Sequence, residues 1–218
     1  MSRERDEFLQ PTGLCDFDVG EAISDRALSL TRGCADVSAR LWALHDFVKE
    51  LPYGLEDWDV KASETLSKGW GMCCGKSNLL VALSRSLSIP ARYRVFRIVS
   101  ERKLLEWVME HDVYLPGKLE DLPPQQDHVE CEAYLDGWQV FDPARDSPLE
   151  NGLRRLGIPL ERVPVIDADG APHYTILASI DDWATQRQEN RRYKNDRQKV
   201  FARANEQLTL IRKLAGAV

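Results

Sequence analysis

The sequence predicts a single domain of the α+β class, in which helices combine with a small antiparallel sheet. Apolar residues recur at helical spacing in the segments 36–51 and 73–87. A β-branched and aromatic run at 91–99 is typical of a strand, and alternating residues on both sides of Asp136-Gly137 are typical of a hairpin. The length of 218 residues suits one sizeable domain, because single domains usually contain ~100–200 residues.

The N-terminal part is predicted to be mostly helical. Helical patterns occur at four places: about 19–30, 36–51, around 63–66, and Cys73 to about Leu87. Pro52 ends the second of these patterns. In the last one the apolar residues share one face, so we expect that face to turn inward: Leu79, Leu80, Ala82, Leu83 and Leu87.

The rest of the chain is predicted to hold the strands. The strand at 91–99 should be mostly buried, at Val95, Phe96, Ile98 and Val99. The region 101–126 contains a short helical pattern and then a loop-like stretch, and the hairpin follows it. One more strand is expected within 173–180. The pattern from Asp181 to about Leu214 predicts one long helix packed along one side.

Composition and charge argue against nucleic acid and membranes as partners. The formal charge of −6 and the pI near 5.3 provide no basic field for a polyanion, so nucleic acid is not an expected partner. No segment approaches the ~18 apolar residues of a membrane span, and the N-terminal sequence is charged where a secretory signal needs an apolar run. We therefore expect a cytoplasmic protein that does not bind membranes, and the sequence leaves its oligomeric state open.

The cysteines occur without a CxxC spacing. Their odd number and this lack of spacing argue against a disulfide framework or a zinc site. We therefore expect no metal and no cofactor, and any cysteine with a special role is expected to be catalytic. The five residues are Cys15, Cys34, Cys73, Cys74 and Cys131.

Two adjacent thiols, Cys73 and Cys74, stand at the predicted start of a helix, within the sequence GMCCGKSN. A helix N-terminus stabilises a thiolate through unpaired N–H groups and the positive end of the helix dipole. Neighbouring residues on a helix point ~100° apart, so only one of the two can face a given cleft. Gly71 and Gly75 flank the pair and allow close approach of another backbone or a substrate. The alternative is that both cysteines pack in the core.

The register of the hairpin decides whether a histidine and an aspartate lie on the same face. A two-residue turn at Asp136-Gly137 would leave His128 and Asp142 on opposite faces. A three-residue loop, 135–137, with Gly137 in the left-handed position of a bulge, would place them on one face as diagonal neighbours within hydrogen-bonding reach. The second register also collects the apolar residues on the other face, so we favour it: Val129, Cys131, Ala133 and Phe141. Cys131 is then a core residue.

The other three histidines are weaker candidates for a catalytic role. His45 lies in a helical pattern and is expected to be packed or half-exposed. His111 and His173 lie in the insertion and in a loop, and both are expected to be solvated.

Three stretches resemble the transglutaminase-like superfamily of papain-fold cysteine enzymes, in particular its microbial single-domain members assigned as cysteine proteases. The first is KASETLSKGWGMCCGKSNLLVALSRSLSIPARYRV, which is similar to the family's nucleophile helix and the strand entry after it. The second, HVECEAYLDGWQVFDP, is similar to the family's His strand, turn and Asp-Pro strand, and FLQPTGLCDFD resembles its N-terminal lead. The resemblance covers roughly residues 8 to 145.

The resemblance implies a papain-like fold in which the nucleophile helix packs against an antiparallel sheet. It assigns Cys73 as nucleophile, His128 as base and Asp142 as the acid that orients the base. It also implies that the backbone N–H of Cys73 is one oxyanion donor, with Trp58 and Trp70 as candidates for the second. The family-like core spans about 14–145, and a C-terminal extension of about 146–218 belongs to the same domain.

The implied chemistry is attack on a peptide, amide or thioester carbonyl, giving an acyl-enzyme on Cys73. Hydrolysis of a peptide or amide bond is the favoured outcome, and transfer of the acyl group to an amine is the alternative. A noncatalytic binding module on the same fold is a third reading, which full burial of Cys73 would support. The substrate is not specified by the sequence, and the segments 101–127 and beyond 146 are expected to border the cleft.

Overall fold

The computed structural model describes residues 3–100, 102–111, 124–189 and 197–216. Its N-terminal part is helical. Asp36 caps α2 by accepting a hydrogen bond from the N–H of Ala39 at 2.8 Å, and Gly69 ends α3 in a left-handed conformation. The elements are a 3₁₀ helix at Arg3–Leu9, α1 at Ala22–Leu30, α2 at Val37–Glu50, α3 at Ala62–Lys68 and α4 at Cys73–Ser86.

The rest of the described chain holds a four-stranded sheet and four more helices. The strand order is β3-β2-β1-β4, and all neighbours are antiparallel. The elements are β1 at Ala91–Val99, α5 at Arg102–Glu110, β2 at Gln125–Tyr134, β3 at Trp138–Phe141, α6 at Ser147–Arg155, β4 at Thr175–Leu177, α7 at Asp181–Glu189 and α8 at Arg197–Gly216. The predicted α+β class and the helix packed on an antiparallel sheet are confirmed.

The helix α4 is the centre of the molecule. Every residue from Cys73 to Arg85 is buried, so the expectation of a single inward face was too narrow. Its polar side chains bind backbone carbonyls: Ser77 donates to Val129 at 2.9 Å, and Arg85 donates to Ala91 and Ala178. These hydrogen bonds satisfy groups that would be costly to bury alone, and they fix the helix against β1 and β2.

The hairpin adopts the register with a three-residue loop. Tyr134 pairs with Trp138 and Cys131 with Phe141, so the apolar face predicted for the hairpin packs in the core. The left-handed residue of the loop is Asp136, with φ 52°, and not Gly137 as predicted. Aspartate tolerates this conformation because its short side chain can hydrogen-bond locally.

Most other elements lie where the sequence placed them, with three differences. Val99 was predicted to be buried but is 49% exposed, at the end of β1. The single long C-terminal helix corresponds to α7 and α8, and residues 190–196 between them lie outside the described part, as does most of the loop-like stretch, 112–123. The helix α6 was not predicted, because its nine residues are mostly polar.

A second apolar cluster lies within the C-terminal extension, and Tyr53 and Leu104 of the family-like core pack against it. It joins α6 to α8 and contains Leu149, Leu153, Ile158, Leu208 and Ile211. The backbone of α8 comes very close to Gly152, where an added Cβ would lie 2.1 Å from the carbonyl oxygen of Ile211. Within the described ranges, no helix has the length and apolar character needed to cross a membrane.

Candidate active site

Cys73 is the first residue of α4, so its thiol stands at the positive end of the helix dipole. The residue before it, Met72, donates its N–H to Glu56 at 2.8 Å, which fixes the turn that enters the helix. Gly75 makes room for this arrangement, since an added Cβ would lie 2.6 Å from the same carboxylate. Cys73 is 5% exposed and lines a cavity.

His128 and Asp142 meet on one face of the hairpin. The Nε2 atom of His128 lies 3.3 Å from Oδ2 of Asp142. The Cys73 side chain lies near enough to the His128 ring to raise its pKa, and both residues line the same cavity. Because Nε2 faces the carboxylate, Nδ1 is the ring nitrogen left for the thiol. The structure therefore brings together the three residues singled out from the sequence.

The electrostatics of the pair favour a charged imidazolium next to a charged carboxylate. Burial would lower the pKa of His128, but the interactions with Asp142 and Cys73 outweigh it and raise this pKa to about 9. Burial would raise the pKa of Asp142, whereas its hydrogen bond with His128 and the nearby guanidinium of Arg162 bring it well below the usual range. The carboxylate thus stays ionised at neutral pH.

Asp142 is held by several further groups. The guanidinium of Arg162 contacts Oδ2, and the N–H of Ala144 donates to Oδ1 at 3.0 Å. His45, which the sequence left as a packed helix residue, is buried and donates from Nε2 to the backbone carbonyl of Asp142 at 3.3 Å. These contacts fix the carboxylate in its orientation toward His128.

A buried lysine connects this loop to the helix of the candidate nucleophile. The ammonium of Lys76 donates to the carbonyls of Lys49, Leu51 and Ala144 at 2.6–2.9 Å. Lys76 lies one turn after Cys73, so it joins the start of α4 to the segment just beyond Asp142 and to the end of α2. Burial lowers its pKa to about 7.

Glu130 lies beside the triad on the same face of β2. Its Oε1 atom is 3.7 Å from Nε2 of His128, and its other oxygen pairs with Arg94 at 2.7 Å. Among the described residues, His128, Glu130 and Asp142 are close enough to share a metal ion. The two acids already pair with Arg94 and Arg162, so this geometry is better suited to ordering the imidazole than to holding a cation.

The other cysteines are structural in their surroundings. Cys74 is buried and its thiol donates to the carbonyl of Trp58 at 3.2 Å. Cys131 is fully buried in the core, where burial raises its pKa well above that of a free thiol, and burial likewise raises the pKa of Cys15 to about 11. Deprotonation of these two thiols is therefore disfavoured.

The candidate oxyanion donors occupy different places. The backbone N–H of Cys73 belongs to the first turn of α4, where no intrahelical acceptor exists. Trp58 lines the same cavity as Cys73, and its backbone N–H donates to Gln188. Trp70 packs against Gly54 and under the ammonium of Lys68. The phenol of Tyr53 also lines the cavity; burial and then the charge of Cys73 raise its pKa, so it remains a hydrogen-bond donor.

The cavity beside Cys73 measures about 480 Å³. Cys73, Met72 and His128 lie on its wall together with apolar residues of α5 and α8. Both segments that the sequence left unassigned, 101–127 and the extension beyond 146, thus contribute to this wall. The predicted position of these segments at the cleft agrees with the geometry.

Sequence reasoning did not find Arg162, Lys76 or Tyr53. Arg162 lies in an irregular stretch rich in Pro, Gly and Arg, without a periodic pattern. Lys76 stands three residues after Cys73 in a helix that was predicted to pack in the core, and a charge at that position is a signal that could have indicated it. Tyr53, between Pro52 and Gly54, carries no signal of its own.

A helix that presents a cysteine to a histidine and an aspartate on an antiparallel sheet defines a papain-like fold. The model of the transglutaminase-like superfamily matches residues 24–143, which is more than half of the chain. The protein therefore belongs to the transglutaminase-like superfamily.

One solved structure similar to this chain is that of a proposed cysteine protease from Cytophaga hutchinsonii. The TM-score is 0.51 and the sequence identity 23%, so the likeness shows the fold alone. The similarity covers 82% of this chain and 53% of the other, so this chain spans about half the length of that relative. A comparison with curated proteins finds no match.

Proposed function

We propose that the protein is a cysteine hydrolase that cleaves a peptide or amide bond through an acyl-enzyme on Cys73. The observation that carries this proposal is the position of the His128 ring, whose Nε2 lies 3.3 Å from Asp142 and which lines the same cavity as Cys73. A nucleophile, a base and a group that orients the base are the parts that acyl transfer requires. Membership in the transglutaminase-like superfamily and the fold of the Cytophaga protein support the same chemistry.

Each residue has a defined role in the proposed reaction. The thiolate of Cys73 attacks the carbonyl carbon, and the new C–S bond forms as the C–N bond to the leaving amine breaks. The imidazolium of His128 gives its proton to that amine. The neutral ring then takes a proton from water as the water attacks the thioester, and the C–S bond breaks to release the carboxylic acid and the Cys73 thiolate. Asp142 keeps the imidazole oriented, and the N–H of Cys73 donates to the developing oxyanion.

Acyl transfer to an amine is the second candidate. The wall of the cavity around Cys73 is largely apolar, which limits the number of water molecules near a thioester at this position. An amine that binds there would then compete with water for the acyl group. The third reading, a noncatalytic module, would be supported by full burial of Cys73. Cys73 is 5% exposed and lies on the wall of the cavity, so it is not fully buried.

Alkylation and turnover together test the proposal. Iodoacetamide at neutral pH, with mapping by mass spectrometry, should label Cys73 faster than Cys74. Equal labelling of the two cysteines, or no labelling of Cys73, would exclude Cys73 as the nucleophile. A screen of amide and thioester donors should then give activity that Cys73→Ala abolishes and that Cys74→Ala retains. Incubation with and without a primary amine separates the two outcomes, because free acid alone excludes transfer.

A further inference from the structure

The cavity next to Cys73 is built mainly by parts of the chain that lie outside the helix and hairpin of the triad. One wall is a face of α8, where Phe201, Ala204 and Leu208 recur at helical spacing. Another part of the wall is a face of α5 formed by Leu104, Leu105 and Val108. The family match ends at residue 143, so α8 lies outside the matched part of the chain.

The charged residues of the cavity wall have partners within the protein. Arg162 contacts Asp142, and Arg197 forms two hydrogen bonds with Asp57, at 2.8 and 3.2 Å. Asp127 pairs with Arg187 at 2.7 Å. Arg145 donates to the carbonyl of Leu160 at 2.8 Å. The wall therefore offers apolar surface next to charged groups that already have hydrogen-bond partners, and a charged ligand would have to compete with these partners.

The size and position of the cavity indicate what it holds. A volume of about 480 Å³ lies within the range of small-molecule pockets. Its wall includes the thiol of Cys73 and the ring of His128, so an occupant must lie next to the reacting atoms. Covering apolar surface stabilises a complex by about 25 cal/mol per Å² of buried area.

We propose that this cavity binds the acyl group of the substrate, that the group is uncharged and apolar, and that the α8 face of Phe201, Ala204 and Leu208 sets its size. This inference rests on the proposed function of Cys73. The apolar group can be an aliphatic acyl chain or the apolar side chain of an aminoacyl residue, because both present the same chemistry to the wall.

Thioesters of one leaving thiol, N-acetylcysteamine, test the proposal with acetyl, butyryl, octanoyl and succinyl groups. The kcat/KM should rise by about two- to fourfold for each added methylene until the pocket is filled, because a buried methylene contributes ~0.8 kcal/mol. Butyryl should exceed succinyl. A flat series, or a preference for succinyl, overturns the proposal. Comparison of N-acetylphenylalanyl with octanoyl thioester then assigns the group to a peptide or to an aliphatic chain.

Substitutions on α8 locate the pocket. Ala204→Trp should lower the ratio of octanoyl to acetyl kcat/KM by at least about tenfold, because the indole fills the space that Ala204 leaves open. The matched control is Ala202→Trp, which makes the same change on the exposed side of the same helix and should leave the ratio unchanged. Phe201→Ala, which enlarges the pocket, should shift the preference to longer chains and decides the matter if Ala204→Trp does not fold. An unchanged ratio in the folded variants overturns the proposal.

A binding measurement separates the pocket from the chemistry. Titration calorimetry of Cys73→Ala with octanoyl thioester reports binding without turnover. If the octanoyl thioester binds but wild type does not turn over any donor, the proposed reaction fails and the pocket stands. If Cys73 turns over acetyl and octanoyl donors equally and no binding preference is found, the pocket fails and the reaction stands.

Discussion

The Nε2 atom of His128 lies 3.3 Å from the Oδ2 atom of Asp142, although fourteen residues separate them in the chain. The loop 135–137 causes this contact. Its three residues give β2 and β3 a register in which both side chains project from one face, and a turn shorter by one residue would place them on opposite faces. The candidate triad thus depends on a feature of the hairpin that is remote from Cys73 in the sequence.

Removal of the Asp142 charge should lower the pKa of His128 and so deplete its imidazolium form at neutral pH. Burial lowers the pKa of His128, but the interactions with Asp142 and Cys73 outweigh it and raise the pKa to about 9, and Asp142→Asn removes the charge that favours the imidazolium. The alkaline limb of kcat/KM should therefore move to lower pH by about 1–3 units. The rate should fall by about 10²–10⁴-fold. A pH profile over roughly pH 6 to 10 checks this, and a limb that stays in place would contradict the role of Asp142.

Removal of the Arg162 charge should change the pKa of His128 in the direction opposite to Asp142→Asn. The positive charge of Arg162 lowers the pKa of His128, after the larger effects of burial and hydrogen bonding. In Arg162→Gln the pKa of His128 should rise, so the alkaline limb should move to higher pH than in wild type. The same pH profile measures it. A purely structural loss would lower the rate at every pH without this upward shift.

The buried ammonium of Lys76 should contribute to stability. Lys76→Met removes the donor of three carbonyls, of which that of Ala144 is bound in a buried contact and the other two in partly buried ones. The free energy of unfolding should fall by about 2 kcal/mol, since an unsatisfied buried group costs ~1–3 kcal/mol. Urea unfolding measures the difference. Lys49→Met is the matched control: its ion pair with Glu150 is partly exposed, so the loss should be about 1 kcal/mol or less. Equal stability of Lys76→Met and wild type would refute the argument.

Gly152 should be required for the packing of α8. A Cβ at this position would lie 2.1 Å from a backbone oxygen of α8, so Gly152→Ala must displace the helix and should cost about 1–3 kcal/mol or more. Gly137→Ala is the control, because nothing lies within 4 Å of its added Cβ and its φ is not positive. It should change the free energy of unfolding by less than about 0.5 kcal/mol. A large loss of unfolding free energy in Gly137→Ala would instead indicate that Gly137 is the left-handed residue of the loop, as the sequence suggested.

The elements with strong local patterns were predictable from the sequence. Apolar spacing placed α2 and α4, and the β-branched run placed β1. The hairpin register followed from the grouping of apolar residues on one face, which is a local property as well. The left-handed residue did not follow, because both Asp136 and Gly137 can adopt that conformation and the surrounding loop decides between them.

The parts that depend on distant contacts were not predictable in the same way. Lys76 is buried only because carbonyls from α2 and from the segment after Asp142 converge on it. Arg162 reaches Asp142 from an irregular stretch twenty residues further along the chain. The apolar cavity needs α5 and α8 to come together beside Cys73, and no spacing within either helix indicates this partner.

Direct observation of an acyl-enzyme tests the central claim, the role of Cys73 as nucleophile. Wild type and Cys74→Ala are mixed with a thioester donor, quenched in acid and measured by intact mass and peptide mapping. Both proteins should gain one acyl mass on Cys73 that hydroxylamine removes, and Cys73→Ala should gain none. An adduct that maps to another residue, or a full adduct in Cys73→Ala, would contradict the account.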